Sequence, residues 1–150
     1  MSQTLLVHAT AVAIDGRAVL LRGPSGAGKS DLGLRLIDAG ARLVADDQSE
    51  LSRSGDALVV RAPATIAGLL EVRGIGIVRL DALVEAPVAL IADLVAPEEI
   101  ERLPASKSEA ILGCAVPLIA VSPFEASAPA KIRLALRAFA NPGVAPAIIS

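Results

Sequence analysis

From Thr4 to Ile14 apolar and polar positions alternate weakly, which predicts a strand. Asp15-Gly16 follows, a strong two-residue hairpin signal, and Ala18-Val19-Leu20-Leu21 reads as a buried return strand running to Arg22. The spacing of Leu32, Leu34, Leu36 and Ile37 predicts a helix from Asp31 to Ala39, with Gly40 as its stop. Ala41 to Asp47 is a short apolar strand ending in two acids. Gln48 to Val60 reads as a turn and a hairpin, with Arg53-Ser54-Gly55-Asp56 at the tip and Ala57–Arg61 as the return strand. Pro63 opens a loop. Gly68 to Val78 is strand-like but carries Gly74 and Gly76, which suggest a bulge or a close approach to a ligand. Val88–Val95 and Pro117–Val121 are further strands, and Glu98–Leu103 is a charged helical turn ended by Pro104. Ser127 caps a last helix, with Pro129 in its first turn and Ile132, Leu134, Leu136 and Phe139 along it; Asn141-Pro142-Gly143 ends it.

This order of strands and helices predicts one α/β domain over residues 1–140 and a short tail over 141–150. Composition narrows the picture. The chain is 53% hydrophobic but has no Trp or Tyr and only two Phe, so its core is aliphatic. A net charge of −2 without a basic block argues against nucleic acid. The stretch Val84–Val95 is interrupted by Glu85, Pro87 and Asp93 and is too short to span a bilayer, so no membrane role is expected. The single Cys114 allows no internal disulfide, as in a reducing cytoplasm, and its apolar neighbours make it a buried small hydrophobe.

The chemistry centres on Gly23-Pro24-Ser25-Gly26-Ala27-Gly28-Lys29-Ser30, which fits the phosphate-binding loop G-x-x-x-x-G-K-[ST]. Its glycines let backbone N–H groups turn toward an anion, and the following helix aims its positive end at the same place. Lys29 would reach the β- and γ-phosphates of a nucleotide, and the Ser30 hydroxyl would hold Mg²⁺. A strand before the motif and a helix after it are the context it requires.

Other candidates stay open on the residues alone. His8, the one histidine, is carried by the hairpin back toward the loop end of the Ala18–Arg22 strand, but from spacing alone a solvent-facing or hydrogen-bonded histidine is the plainer reading. Asp46 and Asp47 end the strand after the loop's helix, where a carboxylate can reach a Mg²⁺–nucleotide site. Alternation would send them to different sides, one to metal and one to an incoming hydroxyl; an Asx turn is the plain alternative. For Glu71 and Arg73, two apart on one strand face, the plain reading is an ion pair.

Taken in order, His8, Gly23–Ser30, Leu43-Val44-Ala45-Asp46-Asp47 and Leu69-Leu70-Glu71-Val72-Arg73-Gly74-Ile75-Gly76-Ile77 resemble the catalytic domain of the HPr kinase/phosphorylase family, in the short form without an N-terminal domain. Glu101-Arg102-Leu103 is a weaker fifth piece. The resemblance implies a fold related to phosphoenolpyruvate carboxykinase, a mixed sheet around a P-loop with flanking helices. It also implies a bacterial cytoplasmic enzyme that uses ATP and Mg²⁺ to phosphorylate a serine of the phosphocarrier protein HPr. Many members reverse the reaction with inorganic phosphate, and many are homo-oligomers, hexamers among them.

Carried over position by position, His8 matches an active-site histidine and Lys29 the loop lysine. Asp47 matches the proton acceptor, Asp46 its acidic neighbour, and Ser30 and Glu71 the Mg²⁺ ligands. Arg73 lies in the family's own signature, and Arg102 matches an active-site arginine. One departure weighs against the phosphorylase direction. The family's Gly-Arg-Asn segment, linked to dephosphorylation, is replaced by Pro123-Phe124-Glu125-Ala126-Ser127-Ala128-Pro129, and Lys131 and Arg133 follow it. The C-terminal helix that contacts HPr in fuller members is also shorter. Two alternatives use the same fold: a small-molecule kinase, and an ATP sensor without catalysis.

Overall fold

The computed structural model describes residues 3–149. Four strands and a helix build the frame around the phosphate loop. They are β1 (Thr4–Val7), β2 (Ala9–Ile14), β3 (Arg17–Arg22), α1 (Lys29–Asp38) and β4 (Arg42–Ala45). The hairpin at Asp15-Gly16 forms as expected, with Ile14 opposite Arg17 and both turn residues in the left-handed region (φ 52 and 78), which suits a type I′ turn. β4 pairs antiparallel with the far side of β2 and therefore runs parallel to β3, with β2 between them.

The single strand expected from Thr4 to Ile14 is two strands. The chain bends at His8, so that β1 leaves to pair with β5 (Ser49–Ser54) while β2 pairs with β3 and β4. Burial explains the weak alternation. Every residue of β2 is buried because both its faces are covered, whereas most of β1 is exposed. The second hairpin, β5 with β6 (Ala57–Arg61), turns at Gly55-Asp56 as the sequence indicates.

Next come the hairpin β7 (Leu69–Val72) and β8 (Gly76–Arg79), the long strand β9 (Glu85–Leu94), β10 (Lys107–Ile111), β11 (Cys114–Val121) and α2 (Ala128–Ala140). Gly74 and Gly76 mark the turn of the β7–β8 pair, not a bulge within one strand, and Arg73 lies in that turn, beyond the end of β7. The expected helical turn at Glu98–Leu103 shrinks to a 3-10 turn at Pro97–Glu99. Ser127 occupies the cap position of α2 but makes no side-chain cap bond.

Nine strands form one mixed sheet ordered β1-β5-β6-β9-β3-β2-β4, with β11 on β9 and β10 on β11. β9 joins its two parts. Residues Glu85–Pro87 pair antiparallel with β6, while Val88–Asp93 pair parallel with β3 and Ile91–Leu94 parallel with β11. Two aliphatic clusters fill the two faces. One holds Leu20, Leu51, Val60 and Ile91 under the β1-β5-β6 hairpins. The other holds Val19, Leu21 and Leu90 against Leu32 and Leu36 of α1 and Ile132 and Leu136 of α2. Each of these leucines is fully buried, worth roughly 1.5–3 kcal/mol apiece relative to exposure. Cys114 is buried, as expected. No helix among the described residues is long and apolar enough to cross a membrane.

Candidate active site

The phosphate loop leaves the carboxyl end of β3 and enters α1 through Gly28, whose φ of 99 only glycine adopts without strain. Gly28 has no side-chain oxygen, so no side-chain cap occupies the first turn and its N–H groups stay available to an anion. The helix stops in a Schellman arrangement. Ala41 N–H bonds Leu36 O at 3.0 Å, Gly40 N–H bonds Ile37 O at 3.0 Å, and Gly40 takes a left-handed φ of 112.

The Lys29 ammonium is nearly buried and donates to the carbonyls of Gly23 (2.7 Å) and Pro24 (3.1 Å), folding over its own loop. It lies 4.0 Å from Asp47 Oδ1. Asp46 and Asp47 differ sharply. Asp46 is buried and accepts three hydrogen bonds: Ser30 Oγ at 2.6 Å and Thr10 Oγ1 at 3.1 Å on Oδ1, and Glu71 N–H at 3.1 Å on Oδ2. Asp47 turns out of the strand with φ 64, and its side chain is 58% exposed. The expected divergence of the two acids is therefore present, but a left-handed residue produces it, not strand alternation.

Thr10, fully buried in β2, ties the two acids together. Its hydroxyl donates to Asp46 and accepts the Asp47 N–H at 3.1 Å. Its methyl lies against α1, where a Cβ at Gly33 would stand 3.1 Å away. So β2 sets the spacing between the loop helix and the acidic strand end.

The other expected residues divide. Glu71 reaches the cluster through its backbone, and its side chain is exposed. His8 is exposed at the bend before Ala9; Ala9 pairs with Arg22, so His8 follows at the loop end of the hairpin, as the hairpin length predicts. Arg73 in the β7–β8 turn and Arg102 in the loop before β10 are both exposed, and neither makes a hydrogen bond or ion pair to the cluster among the described residues.

Two arginines missed by sequence reasoning fix the surroundings. Arg22, the last residue of β3, makes two forked ion pairs, to Asp93 of β9 (2.8 and 3.1 Å) and to Glu109 of β10 (2.7 and 2.9 Å). These hydrogen bonds, Glu109's first, push the Arg22 pKa up, and the Arg22 bond holds the Glu109 carboxyl below its usual range. The pairs clamp three strands together just before the loop begins. Arg35 of α1 bonds Asp31 one turn earlier at 3.1 Å and reaches across to the carbonyls of Pro123 and Glu125. The turn it holds brings the Phe124 ring onto Gly28, and beside it opens an apolar cavity of about 690 Å³ walled by Pro24, Ala27, Leu94, Pro97 and Phe124. Only a run of pairings in space, invisible as a motif, singles these arginines out.

The oxygen donors that converge here suit a nucleotide with Mg²⁺. A hydroxyl and carboxylates beside a phosphate loop supply the one or two protein ligands that Mg²⁺ takes when phosphates and water complete its shell.

Comparison with known proteins points to one family. The model of the HPr Serine kinase C-terminal domain matches residues 1–132. The chain is 46% identical over 79 residues to the HPr kinase/phosphorylase of Exiguobacterium sibiricum, covering 52% of this chain and 25% of that protein. To the HPr kinase/phosphorylase of Bacillus subtilis it is 44% identical over 81 residues, covering 53% and 26%. These matches span about a quarter of the relatives' length. Among solved structures, the Hpr(Ser) kinase/phosphatase from Coxiella burnetii superposes with a TM-score of 0.78 at 32% identity, covering 89% of this chain and 88% of that one.

Proposed function

The chain belongs to the HPr serine kinase C-terminal domain family, and from that membership we propose that it is an ATP- and Mg²⁺-dependent kinase acting on a serine of an HPr-like phosphocarrier protein. The observation that carries the proposal is the division between Asp46 and Asp47. Asp46 is buried and accepts three hydrogen bonds at the foot of the phosphate loop, while Asp47 presents an exposed carboxylate 4.0 Å from the Lys29 ammonium.

Phosphoryl transfer needs positioning and charge neutralisation more than covalent help. Residues 23–30 cradle the phosphates, and Lys29 exchanges its carbonyl partners for phosphate oxygens. Ser30 and Glu71, with Asp46 behind Ser30, hold Mg²⁺, which when bound offsets charge on the transferring group. Asp47 accepts the proton of the attacking serine hydroxyl. Arg102 joins Lys29 and Mg²⁺ in offsetting the phosphoryl charge, and His8 and Arg73 belong to the same catalytic set. The catalytic unit occupies residues 1–140, with 141–150 as a tail. The turn Pro123–Pro129 supplies no arginine where the family's Gly-Arg-Asn segment would stand, which weighs against the phosphorolysis direction.

The test is incubation of the purified protein with γ-labelled ATP, Mg²⁺ and the host's own HPr. Label on an HPr serine is expected. The Asp47→Ala variant should lose transfer by roughly 10²–10⁴-fold while still binding ATP. Transfer retained in full by that variant removes Asp47 as the base. ATP bound by the wild-type chain without any labelled HPr points to a small-molecule kinase or a sensor.

A further inference from the structure

We propose that the apolar cavity beside the phosphate loop receives the purine base of the nucleotide, and that Phe124 is the platform on which the base stacks. This deepens the ATP-dependent reading above and rests on it. Three observations carry it.

Position comes first. Pro24 and Ala27 of the phosphate loop form one wall, so a ligand whose phosphates lie in the loop has the cavity within reach of its other end. At about 690 Å³ the space falls within the range of small-molecule sites and exceeds what phosphates alone would need. Its walls are mostly aliphatic, continuing through Leu94 and Pro97 at the end of β9, which suits a flat heterocycle and not a phosphate.

The state of Phe124 comes second. It is one of only two aromatic residues in the chain, yet it is 72% exposed. The tip of its ring touches the loop, where a Cβ at Gly28 would stand 3.0 Å from Cζ and 3.1 Å from Cε1. Most of the ring surface remains open while the ring lines the cavity. A large ring held open beside a phosphate loop is a stacking surface for a base.

The third is preorganisation. The turn that carries Phe124 is pinned by Arg35 of α1 and Lys131 of α2, neither of which lines the cavity. Arg35 donates to the carbonyls on either side of Phe124, at Pro123 and Glu125. Glu125 N–H bonds Ser122 O at 3.3 Å, and the Glu125 carboxylate pairs with Lys131 at 2.8 Å. Because α1 also begins at the phosphate loop, one helix fixes both the phosphate end and the base end of the site. The backbone that carries the ring is thus fixed before the ligand arrives.

The experiment compares Mg²⁺-ATP with Mg²⁺-tripolyphosphate, which has the phosphates but no base, by calorimetric titration of the wild-type chain, Phe124→Ala and Phe124→Trp. Removing the ring should weaken ATP binding by about 5- to 100-fold and leave tripolyphosphate binding within about twofold. Phe124→Trp restores the stacking surface, so ATP affinity should return to near wild type. It also introduces the chain's one tryptophan, whose emission ATP should quench and tripolyphosphate should not. Unchanged ATP affinity in Phe124→Ala overturns the proposal, and so does an equal loss for both ligands without rescue by tryptophan. If the wild-type chain binds tripolyphosphate but not ATP, the base has no site and the proposal fails. If it binds neither, the nucleotide-dependent function falls first and takes this inference with it.

Discussion

Thr10 offers the sharpest test of how the acidic pair is held. Replacing it with valine keeps the shape and deletes one hydroxyl, so no cavity forms. Two hydrogen bonds are lost. One is charge-assisted, from Thr10 Oγ1 to the buried Asp46 carboxylate; the other accepts the Asp47 N–H, and both are 3.1 Å long. A hydrogen bond to a charged group contributes about 1.5–3 kcal/mol, and a backbone N–H left without a partner costs roughly 1–3 kcal/mol. Ser30 and Glu71 still serve Asp46, and Asp47 N–H is only partly buried, so a total near the low end, about 2–4 kcal/mol, is expected. For a chain of this size that lowers the thermal midpoint by roughly 5–15 °C. Urea unfolding should show the same loss as a lower midpoint with an unchanged slope. Thr10→Ser separates the two halves of the side chain. It keeps both hydrogen bonds and loses the methyl packed near Gly33, at about 0.8 kcal/mol. The reasoning is refuted if valine is tolerated as well as serine, because the methyl and not the hydroxyl would then be what β2 contributes.

Further outcomes follow from the same network. Glu109→Gln should remove a pH-dependent contribution. The Glu109 carboxyl is held below its usual range by Arg22, so its stabilisation is present above about pH 4.3, the unfolded value, and fades as pH falls through the lower folded value. Thermal midpoints from pH 7 down to pH 3 should show the variant below wild type at neutral pH and the two curves converging in acid. A gap that stays constant would mean the pair is held by something other than charge. Gly28→Ala places a side chain in a left-handed residue, costing about 1–2 kcal/mol, and drives it against the Phe124 ring. Phosphate-chain binding should weaken at least about tenfold, and wild-type affinity for tripolyphosphate in this variant would contradict the close contact.

What the sequence makes legible is local. The Asp15-Gly16 turn, the phosphate loop, the helix behind it and the acidic strand end are each written in a few neighbouring residues, and each is where it should be. What stays hidden depends on partners distant in the chain. The break at His8 is invisible because Thr4–Val7 and Ala9–Ile14 are both plausible strands; only their separate partners, β5 on one side and β3 and β4 on the other, divide them. β10 escapes notice because Lys-Ser-Glu-Ala-Ile is mostly polar, and its turn to β11 is Leu112-Gly113, not an Asn-Gly or Asp-Gly pair, although both residues take left-handed φ values of 50 and 81. Thr10 resembles any β-branched residue of a strand, and Arg35 resembles the exposed partner of Asp31. Their function as fixtures of the site comes from contacts to residues 36 and 88 positions away.

The strand shared by both parts of the sheet has a consequence for how the chain is made. β9 lies late in the sequence, yet it is the parallel neighbour of β3 and the antiparallel neighbour of β6. A nascent chain that has emerged only through β8 carries those strands with open edges, a template for pairing with other chains. The sheet can close only once residues 85–94 have left the ribosome, because they supply the neighbour of both β3 and β6. A cut between β8 and β9 would leave β3 and β6 on one fragment and their shared neighbour on the other, each with an open edge.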